Sequence, residues 1–235
     1  MQRSDVNALI ISTEPCLHED YVRRGLESNK HVLVEYPVAL SSKVAKQLYQ
    51  LAEEKNLILL EENIGLLTED YNVVKRKAEK VALKSGQYIL NGSFNGWLEN
   101  FEKSGLPFIT GISSIQSVMT LFGEVQVTGG KLDQSEDSYT ATADLEANGK
   151  PISITLSRSK SKEARRHKQT IYEFDDGEVI DSNKLPPQKT SKPGLFMRDM
   201  EQFYDAILEG KIKEEQKNLS IRSLEIAEKI HSYFN

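Results

Sequence analysis

A single cysteine, Cys16, is present in 235 residues, so no disulfide can form within the chain and the cytoplasm is its expected setting. No apolar run approaches the ~20 residues a membrane-spanning helix needs. Met1 to Asp5 leads into the short run Ala8 to Ile11 without a secretory layout. Positive charge is not in excess either. A net charge of −5 argues against a nucleic-acid partner, which is held by clustered lysine and arginine. None of the fourteen glycines falls in G-x-G-x-x-G after a strand or in G-x-x-x-x-G-K-[ST], so a phosphate-binding turn is missing from the sequence. There are no internal repeats and no low-complexity tract. What remains is 38% hydrophobic residues over a length that can bury a real core, in one large domain or two small ones.

The apolar segments fall into two periodicities. Val6–Ile11, His31–Glu35 and Leu57–Leu60 are short apolar runs of strand length. Between them, Leu17, Tyr21 and Leu26 mark one helix face, and Val44, Ala45, Leu48, Leu51 and Ala52 mark another after a Ser41 or Ser42 cap. Strand and helix alternate here as in a parallel βαβ sheet. A longer helix is expected over 64–84. After Ser85-Gly86 the strands expected are Gln87–Phe94, Val125–Val127, Tyr139–Leu145, Ile152–Leu156, Thr170–Phe174 and Glu178–Ile180, the last two joined at an Asp175-Asp176-Gly177 turn. A loop over 95–107, a helix with Ile112, Ile115, Val118, Met119 and Phe122 on one stripe, an exposed loop marked by Pro186, Pro187 and Pro193, and closing helices over about 195–209 and 218–234 complete the pattern. The fold class expected is α/β plus α+β: a partial doubly wound, Rossmann-like parallel sheet over 1–84, then an antiparallel sheet with helices on one face over 85–235. Only the second mononucleotide half of the doubly wound plan is expected, the opening strand standing where the fourth normally would.

The most informative stretch is Lys30 to Pro37. In an open α/β sheet the ligand crevice lies beyond the carboxyl ends of the strands, so this strand would deliver Glu35 and Tyr36 to it. The plain alternative is strand-end packing against Pro37. Thr13 and His18 follow the first strand, and Glu62 and Asn63 follow the third, at the same edge; a solvated helix start would explain either pair as well.

Ser12-Thr13-Glu14-Pro15, His18, and Lys30 to Glu35 followed by Pro37 resemble the second-half signature of the Gfo/Idh/MocA oxidoreductases. Most members carry Glu-Lys-Pro at this motif, with the lysine as acid/base near the nicotinamide. Here the motif is Glu35-Tyr36-Pro37. With His18-Glu19-Asp20-Tyr21, Glu61-Glu62, Gly111-Ile112-Ser113, Leu121-Phe122-Gly123-Glu124 and Ile226 to Ile230, it is similar to the biliverdin-reducing branch along essentially the whole chain. The resemblance implies hydride transfer from NADPH or NADH to the central methine of biliverdin, giving bilirubin, in a monomer without nucleic acid or membrane as partner. It also implies a first βα unit with a glycine-rich turn for the pyrophosphate, absent from this sequence, so that activity of the chain as it stands is expected to be impaired. Another dehydrogenase of the family, acting on a sugar or diol, and a non-catalytic binding or assembly module are the alternatives.

Site roles follow from the same resemblance. Thr13, His18, Glu35 and Tyr36 are the expected cofactor contacts, with Tyr36 also the catalytic candidate; since a phenol is a weak donor at neutral pH, positioning is favoured over acid catalysis. Glu62 is assigned to the tetrapyrrole substrate, as are Arg165, Arg166 and Lys168, whose cations suit its two propionates, although a solvated loop ahead of a strand explains those too. Ser114 stands where the branch commonly has Arg, and a hydroxyl cannot replace a guanidinium as a charge partner. Some relatives carry a zinc cluster near the C-terminus; the matching positions are Arg222, Ser223, Phe234 and Asn235, none a good zinc ligand, so no metal is expected.

Overall fold

The structure, a computed structural model, describes residues 3–186 and 193–234; Pro187 and Asn235 lie outside the described residues. β1 (Ala8–Ile11), β2 (His31–Val34) and β3 (Leu59–Glu61) form a parallel sheet in that order, linked by α1 (His18–Glu27) and α2 (Ser42–Glu54). Ser41 sits in extended conformation and its hydroxyl accepts the Val44 N–H at 3.3 Å, which starts α2 as the sequence suggests. The helix expected over 64–84 is shorter. A 3-10 turn covers Ile64–Leu67, Thr68 turns extended and caps α3 (Glu69–Ala78), and Leu83 already belongs to the next strand. An extended residue whose hydroxyl takes the Tyr71 N–H necessarily interrupts a helix that apolar spacing alone would run through.

β4 (Leu83–Ser93) opens the second sheet. The stretch expected as loop over 95–107 carries a one-turn helix, α4 (Phe101–Ser104), and a second, α5 (Pro107–Thr110), starts at its end before α6 (Ile112–Phe122). Then follow β5 (Val125–Gln134), β6 (Ser138–Ala147), β7 (Lys150–Ser159), β8 (His167–Phe174) and β9 (Val179–Asp181), in sheet order β5-β6-β7-β4-β8-β9. Every pairing is antiparallel, as expected, except β4 with β7. That one parallel pair has a topological cause: the helical crossover from β4 to β5 restores strand direction, and the β5-β6-β7 meander keeps it.

Period-two alternation decides which face is covered. Tyr88, Tyr139, Ala141, Ala143, Leu145, Ile152, Ile154, Leu156, Tyr172 and Phe174 are buried under helices, while Gln87, Thr140, Thr142, Ser153 and Thr155 point the other way. α7 (Leu195–Glu209) lies against the parallel sheet, where Phe203 and Ala206 join Leu33, Ile58 and Leu60. α8 (Glu214–His231) packs on α2, α5, α6, β3 and β5 at once, through Ile221, Leu224, Ala227 and Ile230. The Glu228 carboxylate accepts both the N–H and the hydroxyl of Ser42, each at 2.7 Å, tying α8 to the start of α2. Among the described residues no helix is long and apolar enough to cross a membrane.

Candidate active site

Parallel pairing brings Ser12, Glu35 and Glu62 to one edge, because β1, β2 and β3 end in register beside one another. The Ser12 hydroxyl donates to Glu35 Oε1 at 2.7 Å. Tyr36 follows, half-buried, and its peptide bond to Pro37 is cis. Thr13 is exposed at the rim. These five residues stand at the same strand ends, Ser12 not anticipated as a site residue although its motif was visible.

His18 stands differently from the expectation of a cofactor contact. It is fully buried, its Nδ1 2.7 Å from the Pro37 carbonyl and its Nε2 3.2 Å from the Thr13 carbonyl. Burial holds its pKa below the ordinary histidine value, against the pull of the two carbonyls and Glu35. It supports the crevice from behind.

Glu62 is buried too, with Oε1 accepting the Ile64 N–H at 2.8 Å. Its pKa is pushed up to about 7, first by burial and then by the negative charges of Asp199, Glu35 and Glu61. Asp199 of α7, also raised by burial, accepts the Asn63 N–H at 3.3 Å. Because the folded pKa of Glu62 lies above its ordinary 4.5, the folded state holds the extra proton, and its contribution to stability is complete below 4.5 and lost as pH rises through 7. Glu62→Gln keeps an oxygen for Ile64 but no charge. Thermal melts should show the variant gaining on the parent between about pH 5 and about pH 8.

The second sheet supplies the facing wall. Tyr88 of β4 is buried beside Tyr36, Ser113 and Arg166, and Lys168 Nζ lies over its ring at 5.4 Å from the centroid. Burial lowers the Lys168 pKa, with Arg166 adding to that and Asp70 opposing it. Arg166 and Lys168, two of the expected substrate groups, thus both lie near the Tyr88 phenol. Arg165 is turned to its own loop: its guanidinium donates to the Lys162 and Ala164 carbonyls, and it lines a cleft of about 560 Å³ with Arg158, Tyr139 and His167. Ser114, the other expected substrate contact, is fully buried and donates to the Gly111 carbonyl at 2.7 Å. A hydroxyl one turn into a helix satisfies itself on the backbone and turns from the crevice; the half-buried Ser113 points to Tyr88 instead. Tyr88 was not singled out in the sequence because its approach to Tyr36 comes from packing between the two sheets, which strand patterns do not contain.

Beneath the crevice lies a buried polar network. Glu61 is 1% exposed; its Oε2 accepts the Val38 N–H at 2.6 Å and its Oε1 accepts from Gln116 Nε2. The Tyr49 hydroxyl and Ser220 are 3.0 Å apart on the α8 side. Burial raises the Glu61 pKa, against the bonds from Val38, Gln116 and Ser220. Among the described residues no group of three or more His, Cys, Asp and Glu is placed to hold a metal.

A parallel βαβαβ unit with a polar crevice at its strand ends, facing a sheet with a half-sequestered lysine, defines the class: an NAD(P)-dependent oxidoreductase with a Rossmann-type domain. An oxidoreductase family model with an NAD-binding Rossmann fold matches residues 1–63. Mouse biliverdin reductase A is 32% identical over 239 residues, covering 98% of this chain and 77% of that protein, and human biliverdin reductase A is 29% identical with coverage of 99% and 77%. The crystal structure of a Synechocystis biliverdin reductase in complex with biliverdin and NADP+ superposes with a TM-score of 0.81 at 24% identity, over 99% of this chain and 81% of that one. The chain belongs to the Gfo/Idh/MocA oxidoreductase family and is biliverdin reductase-like within it.

Proposed function

We propose that the chain takes a linear tetrapyrrole with two propionates, of the biliverdin type, and serves its reduction at the central methine to a bilirubin, acting as a cytoplasmic monomer. Residues 1–84 serve the cofactor and 85–235 the substrate. The observation that carries the reading is Tyr88, which lies near Tyr36 and Arg166 and has Lys168 Nζ over its ring at 5.4 Å from the centroid. A dianion needs paired cations, and a flat conjugated ligand needs apolar walls with aromatic faces; this wall offers both. A sugar or diol oxidation needs an acid/base of the lysine kind, and position 36 holds a phenol.

The crevice residues Thr13, Glu35 and Tyr36 suit the nicotinamide end of a dinucleotide, while a glycine-rich turn for the pyrophosphate is not among the residues of this sequence. The cofactor, when bound, supplies the hydride. Tyr36 then bounds the substrate plane, Glu35 is held by Ser12, and Lys168 with Arg166 pairs with the propionates. Because positioning is most of what a protein contributes to hydride transfer, turnover by these 235 residues alone is expected to be weak.

The test is a visible-absorbance titration of the purified chain with biliverdin, followed by NADPH and NADH. Saturable binding of biliverdin is expected, with Lys168→Met weakening it about tenfold through the lost charge-assisted contact. No binding, or binding unaffected by Lys168→Met, overturns the assignment.

A further inference from the structure

The two walls of the crevice come from different sheets. Tyr36 hangs from the end of β2, whereas Tyr88 and Ser113 belong to β4 and the first turn of α6. Something must set one against the other, since a misplacement of about an ångström costs a bound ligand much of its productive geometry. The peptide unit joining Pro37 to Val38, immediately after the phenol, is gripped at both ends. Its carbonyl takes His18 Nδ1 at 2.7 Å, and its N–H gives to Glu61 Oε2 at 2.6 Å. His18 and Glu61 are 0% and 1% exposed, so neither grip competes with water.

The other oxygen of Glu61 reaches across to the second wall. It accepts from Gln116 Nε2, and Gln116, 1% exposed, lies one turn beyond Ser113 on α6. The Gln116 amide is also 3.4 Å from Ser223 of α8. One carboxylate thus bonds the turn that carries Tyr36 and the helix that carries Ser113.

We infer that Glu61 is a positioning residue: by accepting from Val38 and Gln116 together, it fixes the distance between Tyr36 and the first turn of α6. This rests on the reading above, in which Tyr36 faces the tetrapyrrole. Val38 N–H can only donate, so position 61 must keep an oxygen for it, whereas the Gln116 amide can turn either its nitrogen or its oxygen to its partner. Glu61→Gln therefore keeps both bonds once the Gln116 amide has turned, while Glu61→Leu removes both at similar volume.

The experiment places 3-fluorotyrosine at Tyr36 and records its ¹⁹F resonance, amide exchange at Val38, the thermal melt, and biliverdin affinity. Glu61→Leu is expected to move or broaden the resonance, to speed Val38 exchange about tenfold or more, and to weaken biliverdin about tenfold. Glu61→Gln is expected to leave all three near the parent. If Glu61→Leu fails to fold, Gln116→Leu, which leaves the Val38 bond intact, is expected to shift the same resonance. An unchanged resonance in whichever leucine variant folds, or a Glu61→Gln variant whose resonance moves as far as theirs, overturns the inference. The resonance and the exchange rate need no ligand. If they respond while biliverdin does not bind, the positioning role stands and the substrate assignment falls.

Discussion

Between pH 6.5 and about pH 4 the chain should lose about 3 kcal/mol of stability through His231 alone. His231 ends α8, where the helix dipole favours a cation, yet burial lowers its pKa from 6.5 to about 4. The ring packs on Phe108 and Phe234, at centroid distances of 6.1 and 5.1 Å, and its Nε2 accepts the Phe108 N–H at 3.2 Å. A protonated ring would turn that acceptor into a donor facing a donor. With the folded pKa below the unfolded one, the stabilisation is complete above 6.5 and is lost as pH falls toward 4, because the unfolded chain binds the proton first. His231→Asn keeps an acceptor without the titration. Urea midpoints measured across this range should fall steeply for the parent and less for the variant; parallel slopes would remove the claim.

Gly111→Val should cost about 3 kcal/mol, and Gly111→Ala about half of that. A Cβ at this position would lie 2.5 Å from Leu156 Cδ1 and 3.0 Å from the Pro107 carbonyl oxygen. The backbone there has φ of −93°, which any residue adopts, so the demand is for space alone. Leu156 is 3% exposed and hemmed in by the core, and the carbonyl belongs to the preceding helical turn, so neither gives way freely. Relief requires α6 to lift off the sheet, which would carry Ser113 away from Tyr88. Denaturant unfolding should therefore report the loss, and a weaker biliverdin titration should accompany it. A valine variant as stable as the parent would show that Gly111 is not pressed against Leu156.

The parallel half was legible because β2 and β3 are buried on both faces and all three strands read as short apolar runs, with Ser41 marking the start of α2. The Glu35-Tyr36 pair was legible for the same reason: a strand that ends abruptly at a proline delivers its last residues to the sheet edge. What failed did so for lack of depth. His18 and Ser114 sit at plausible sites in sequence, but nothing local reveals that both are fully buried with their polar atoms on backbone carbonyls. Thr68 broke a helix that apolar spacing favoured, since a capping hydroxyl and an ordinary helical threonine look alike in sequence. The parallel β4–β7 pair, and the β4–β8 pair that brings Lys168 to Tyr88, depend on strand order, which alternation along single strands does not contain.

Glu228 grips Ser42 across a separation of 186 positions. A contact so remote along the chain forms only after the intervening loop entropy has been overcome, which places it late in folding. During synthesis, β1 to β3 emerge well before α8 and wait, one flank bare, for it to leave the ribosome and dock. Until then the phenol has no fixed partner across the crevice, so a half-made chain cannot present a finished pocket.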